Sequence, residues 1–379
     1  MTSHRRLRGA LALVLSTTAM PIAALALEDQ GIQPFEWEFQ DNTKIVFYGQ
    51  IDVGSLWFND GDETTSYGLV GNKNSSSRIG VTSTTNFDSG WELFSNIEAE
   101  YVPHPSSSVN QLDKYQANYD FDKTNFRKAE IAMSSEKAGK VWLGQGSMAT
   151  DGITEIDLSG TTVVAYSNVA DSGGGLFRFD NDTLSGVSTK DAYSNYDGNR
   201  EMRVRYDTPS FSGFRLKAAY GQDVLHDDND SIYDVAATYE GDYAAFDVSA
   251  GIGYARYDGS DSDIFSGSMS GLHKASGVSL TLAAGQKSAE EDAHYGYVKL
   301  GWQHDFFRTG ATAFAVDYYK GDGVTVDGSD STTYAFAAVQ NFDFWNTQYY
   351  LTVRQYEYDD DAGSYQNGLT TFTGLRVKF

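Results

Sequence analysis

The stretch 370-TTFTGLRVKF-379 at the carboxy terminus alternates apolar and polar residues and stops on Phe379. Continued back by one residue, Leu369, Thr371, Thr373, Leu375, Val377 and Phe379 fall on one face, while Arg376 and Lys378 fall on the other. A strand has a period of two, so this segment has one greasy and one wet face. The same alternation recurs along most of the chain, with no helical pattern to supply a cover for the greasy faces, so lipid is the expected cover.

The opposite end fixes the compartment. Arg5, Arg6 and Arg8 precede an apolar run from Ala10 to Leu15, then Pro21 and small residues ending in Ala24-Leu25-Ala26. That order reads as a signal peptide over 1–26, with the mature chain starting near Leu27. A membrane anchor needs roughly 20 apolar residues, and the polar 16–18 and Pro21 interrupt a run already shorter than that. Cysteine is absent, so an exported chain of 379 residues has no disulfides to hold it. Aromatics are 14% of residues, Gly 38, Pro only 5, and mean hydropathy is −0.42. The apolar content is thus spread thinly, as alternating strands require.

Charge excludes one class of partner. The chain has 28 Lys and Arg against 52 Asp and Glu; without the three leader arginines the balance is 25 against 52, or −27. Nucleic acid is a poor partner for such a surface.

Strand-like runs fall at 44–58, 76–86, 90–102, 124–135, 140–147, 200–208, 213–222, 231–240, 244–257, 264–274, 278–287, 294–304, 309–320, 331–340, 347–358 and 368–379. Most are about 9–12 residues long, close to the length at which a tilted strand crosses hydrocarbon. The links alternate in character. Those such as 209–213, 241–244, 275–277, 305–309 and 341–346 are short, and several carry aromatics. Those at 223–230, 258–263, 288–293, 321–330 and 359–367 hold sixteen Asp or Glu between them and no Lys or Arg. Short turns on one side and polar loops on the other describe a 16-stranded antiparallel transmembrane β-barrel, an all-β fold, in the domain 27–379.

Phase assigns the faces. Val298, Leu300 and Trp302 alternate with Lys299; Phe214, Leu216, Ala218 and Tyr220 alternate with Arg215 and Lys217. An Arg or Lys on the lipid side at mid-membrane costs about 2–4 kcal/mol, so the charges belong inside, and an interior lined with both signs implies water. One connection breaks the rhythm. Residues 148–199 form a loop far beyond ordinary length, and such loops are usually functional. It carries Asp151, Glu155, Asp157, Asp171, Asp180 and Asp182 beside apolar Ile153, Val163, Val164, Leu176 and Phe177, enough to pack against a wall.

In FYGQIDVG (47–54), SSSRIGVTS (75–83), FRKAEIAMS (126–134) followed by GKVWLGQG, and the terminal Phe379, the chain resembles the general diffusion porins of Gram-negative bacteria. The resemblance covers essentially the whole mature sequence. It implies an outer-membrane homotrimer whose long loop folds into the lumen and sets acids against a basic cluster on the opposite wall. Where phase agrees, it carries the basic wall onto Arg78, Lys128, Arg203 and Arg205, with Lys128 preferred to Arg127 and Arg200 ambiguous. The loop acids would be Asp151, Glu155 and Asp157, and Phe379 the signal read by the barrel assembly machinery. The family's Pro-Glu-Phe-Gly loop tip is missing, and Glu98, Glu100 and Glu130 add acid to the wall.

The implied function is passive diffusion of small hydrophilic solutes and ions, mildly cation-preferring because of the acidic mouth. The implied surroundings are outer-membrane lipid and lipopolysaccharide. No cofactor is expected; the external acid clusters suggest Ca2+ or Mg2+ bridging to lipopolysaccharide, and no dedicated metal site is read. The five mature histidines are scattered, with no H-E-x-x-H, G-x-S-x-G or Walker loop, so no catalytic residue is assigned. Two other readings share the strand pattern. A substrate-specific channel has its only hints in Trp142, Tyr166 and Phe177, and a structural or adhesive barrel would close its lumen with side chains.

Overall fold

The computed structural model describes residues 32–115, 117, 119–226 and 230–379. The signal peptide read over 1–26 lies outside them. Sixteen strands form the wall: β1 (Thr43–Asn59), β2 (Arg78–Asn86), β3 (Glu92–Glu100), β4 (Phe126–Ser135), β5 (Gly139–Ser147), β6 (Arg200–Asp207), β7 (Phe214–Gln222), β8 (Ser231–Asp242), β9 (Phe246–Tyr257), β10 (Ser262–His273), β11 (Val278–Ser288), β12 (Ala293–Phe307), β13 (Gly310–Asp322), β14 (Asp330–Phe342), β15 (Thr347–Asp359) and β16 (Gly368–Lys378). Each pairs antiparallel with its chain neighbours. β16 returns to β1, with Asn59 opposite Leu369 and Gln50 opposite Lys378. Closure removes every edge, the condition for a sheet to span lipid.

The period-two reading placed all sixteen because no other element competes for these segments. Along β6, Met202, Val204 and Tyr206 are 41–53% exposed while Glu201, Arg203 and Arg205 are 3–9% exposed. That is lipid face against lumen face. Aromatics flank the outer apolar band at both levels, as in the pairs Tyr220–Tyr233 and Phe214–Tyr239, with ring centres 4.9 and 4.6 Å apart.

Four short strands escaped the sequence, two of them, Leu176–Arg178 and Leu184–Ser188, pairing as a hairpin inside loop 148–199. Phe35–Phe39 folds back on the base of β1, with Phe35 opposite Phe47. Thr64–Gly71, inside the first external connection, covers the upper half of β1, which β2 is too short to reach. At the seam between chain ends, the Phe379 N–H donates to the Gly49 carbonyl at 3.0 Å and the Gly49 N–H to the Phe379 carbonyl at 2.8 Å.

The apolar core lies inside the barrel, between loop 148–199 and the lumen face of the wall. It joins Val164, Val169, Phe177 and Tyr193 of the loop to Phe58, Tyr319, Tyr356 and Tyr358 of the wall. Tyrosine suits this position because its ring is apolar and its hydroxyl serves loop carbonyls that no sheet partner reaches. Tyr356 Oη donates to the Val169 carbonyl and Tyr319 Oη to the Ser194 carbonyl, each at 2.8 Å.

Candidate functional site

The loop is fastened along the inner wall strand by strand. Thr150 donates from both N–H and hydroxyl to Asp234 of β8 at 2.7 Å. The N–H groups of Ile156 and Leu158 donate to Ser268 and Ser270 of β10 at 3.1 and 2.9 Å. Lys299 of β12 reaches Asp157 and the Ala165 carbonyl, each at 2.7 Å. Farther on, Asn72 donates to the Val163 carbonyl at 2.7 Å, and Arg178 pairs with Asp60 at 2.8 Å. Burial opposes ionisation of Asp60, but the hydrogen bond from Arg178 and those from the Glu63 and Asp62 amides bring its carboxyl down to about 2. The loop therefore leans mainly on the arc from β8 to β15, touches β16 and β1 only near the external rim at Thr370 and Phe58, and leaves the lower part of the arc from β16 through β6 facing the lumen.

That free arc carries the charges. Arg376 and Lys378 on β16, Arg78 on β2, Glu98 and Glu100 on β3, Arg127 on β4 and Arg200 on β6 follow one another around it. Arg127 bridges both glutamates, Nε to Glu98 at 2.7 Å and Nη1 to Glu100 at 2.6 Å. Arg78 stands 3.9 Å from Glu98, and Lys73 of the first external connection 3.3 Å from Glu100. Arg376 donates to Gln348 and Ser75.

Arg127, set aside by strict alternation, joins Lys128 on the lumen side and is the residue that engages the glutamates. The β3–β4 register shifts between Glu98 and Ala99, so Lys128 stands opposite Glu98 and Phe126 opposite Ala99. The extra residue of this bulge is Arg127, and strict alternation fails across it. Arg203 and Arg205 are on the lumen side but not free: Arg203 pairs with Glu130, and Arg205 grips Asp207 with two nitrogens at 2.7 and 2.9 Å.

The three loop acids separate into different roles. Asp157 is corrected from a lumen acid to an anchor, its side chain 2% exposed against Lys299. Asp151 pairs with Arg200 at 3.4 Å where the two ends of the loop meet. Glu155 accepts from Asn195 Nδ2 at 3.2 Å. Its carboxyl is pushed well up, first by burial and then by the charges of Asp197 and Asp151. Asp197, missed in the sequence, ties the two ends of the loop together: it accepts from Gly152 N–H at 2.7 Å and from Thr154 N–H and hydroxyl at 3.1 and 2.8 Å. Burial and then Asp151 raise it to about 7 against those hydrogen bonds. Among the described residues no group of three His, Cys, Asp or Glu is placed to hold a metal ion.

The fold recurs in solved structures at low identity. An anion-selective porin from Comamonas acidovorans superposes with a TM-score of 0.60 at 15% identity, over 89% of this chain and 100% of that one. OmpF of Salmonella typhi, in complex with daunomycin, gives 0.57 at 13% over 91% and 100%. A trimer form of OmpT from Vibrio cholerae gives 0.56 at 14% over 89% and 100%. No curated protein sequence matches the chain. The family model described as Gram-negative porin matches residues 10–361, and with a closed sixteen-stranded barrel holding an inward loop, the chain belongs to the Gram-negative porins of the outer membrane.

Proposed function

We propose that the chain is a passive channel for small hydrophilic solutes and ions, narrowed where loop 148–199 faces the β16–β6 arc. The observation that carries this is the placement of charge: the Asp151–Arg200 pair at the base of the loop, and Arg78 and Arg127 with Glu98 and Glu100 on the free wall. Opposed charges across a narrow waist orient water, and an apolar solute loses free energy by breaking that order. The acids crowded into the external loops favour entry of cations, modestly, because screening acts over about 8–10 Å at physiological salt. They also suit divalent cations bridging to lipopolysaccharide.

A homotrimer is the assembly supported by the trimeric form of one structural neighbour. Phe379, placed at the seam, fits a residue read by the assembly machinery. Liposome swelling with sugars of graded size tests the reading. A smooth decline of rate with solute size is expected, and no permeation at any size would overturn it. A substrate-specific channel is the second reading, favoured by the lumen-side Trp142 and distinguished by one solute far exceeding others of its size.

A further inference from the structure

Below the charged arc, at the periplasmic ends of β3 to β7, two rows of lumen-side residues run across five strands. Register aligns Glu92, Ser134, Lys140, Asp207 and Lys217 in one row, and Phe94, Ala132, Trp142, Arg205 and Ala219 in the next. Lys140 Nζ lies 4.2 Å from the Trp142 ring centre and 4.7 Å from that of Phe94. The two rings meet edge to face, 5.8 Å apart.

The single acid in the middle of this group is consumed. Asp207 takes both nitrogens of Arg205 and, at 3.1 Å, the indole N–H of Trp142. Lys140 is left with Glu92 at 3.9 Å, its side chain 26% exposed. Lys217 makes no salt bridge among the described residues; the charges that bear on it are Arg205, Asp207, Arg215 and Glu240. A wall that only had to close would carry small residues here, as Ser134, Ala132 and Ala219 do in the same rows. Instead, two lysines stand in one row on either side of the arginine-bound Asp207, and Lys140 lies over an aromatic pair whose Trp142 ring also faces Arg203 and Arg205 at 5.7 and 5.9 Å.

We propose that this patch is a binding subsite for small aromatic carboxylates on their way through the lumen. The carboxylate lies between Lys140 and Lys217, and the ring lies against Trp142 and Phe94. An aliphatic carboxylate would gain only the ammonium contacts, and a neutral aromatic only the ring contact. The inference rests on the channel reading for access to the lumen, but binding itself needs no current.

The test is calorimetric titration of the folded protein in detergent with benzoate, acetate and benzamide, on wild type, Trp142→Leu and Lys217→Gln. Each preparation is first checked for the heat-modifiable mobility of a closed barrel. Benzoate is expected to bind at least about fivefold tighter than acetate or benzamide. Trp142→Leu should abolish the preference over acetate, and Lys217→Gln the preference over benzamide. Equal binding of all three probes by wild type, or an unchanged benzoate preference in both variants, would overturn the subsite. Single-channel recording on the same preparation separates the two claims: a silent bilayer sinks the channel reading, while the titration still decides the subsite.

Discussion

Asp157 and Lys299 meet at 2.7 Å with side chains 2% and 0% exposed, joining the long loop to β12 behind the lumen rather than across it. Removing one member of a buried pair strands the other charge, at a cost of about 3–5 kcal/mol. Lys299→Met should therefore loosen the loop, read as faster proteolysis within 148–199 and noisier single-channel current. Adding Asp157→Asn to Lys299→Met should restore part of the protection. Equal protease resistance in wild type and Lys299→Met would show that the pair does not hold the loop.

Asp197 gives loop docking a pH dependence. Its carboxyl, ordinarily near 3.8, is raised to about 7. The docked state thus binds a proton that a released loop gives up, and docking weakens as pH rises from about 4 to 7, then levels off. Amide exchange at Gly152 and Thr154, corrected for intrinsic rate, should be more protected at pH 5 than at pH 8. In Asp197→Asn that difference should shrink. Greater protection at pH 8 would reverse the sign and exclude the mechanism.

On the wall, Arg127 and Lys128 make opposite predictions for neighbouring positions. Arg127→Ala leaves Glu98 and Glu100 without their shared partner and should move the reversal potential in a salt gradient clearly toward cations. Lys128→Ala should move it much less. A larger effect from Lys128 would restore the plain alternation reading.

Gly49 is required by close approach at the seam. A Cβ there would come within 2.7 Å of the Phe379 ring and 2.8 Å of the Arg78 carbonyl. Gly49→Val should therefore reduce the fraction of closed, heat-modifiable barrel. Phe379→Ala removes the ring and should make Gly49→Ala better tolerated than it is with Phe379 in place. A Gly49→Val protein as well closed as wild type would remove the seam from the list of constraints.

The barrel was legible because lipid on one side and water on the other force a strict period of two, as in 199-NREMRVRYD-207, and a strand has no third choice. Loop 148–199 was legible through its length and its apolar content. Its contacts were not, because they join residues such as Asp157 and Lys299 that are 142 positions apart. Arg127 was misassigned because the bulge beside it inserts one residue without any Gly or Pro to announce it. Asp197 was overlooked because its role depends on the loop ends meeting, which no local pattern records. Arg376 was read on the wet face of the last strand, yet its place on the basic arc became visible only when β16 closed on β1.

The central claim is an open, water-filled lumen narrowed by the loop, and single-channel recording in a planar bilayer under a salt gradient tests it most directly. Discrete conductance steps, grouped in threes, with a modest cation-favouring reversal potential are the predicted result. A folded, heat-modifiable protein that inserts and stays silent would contradict it.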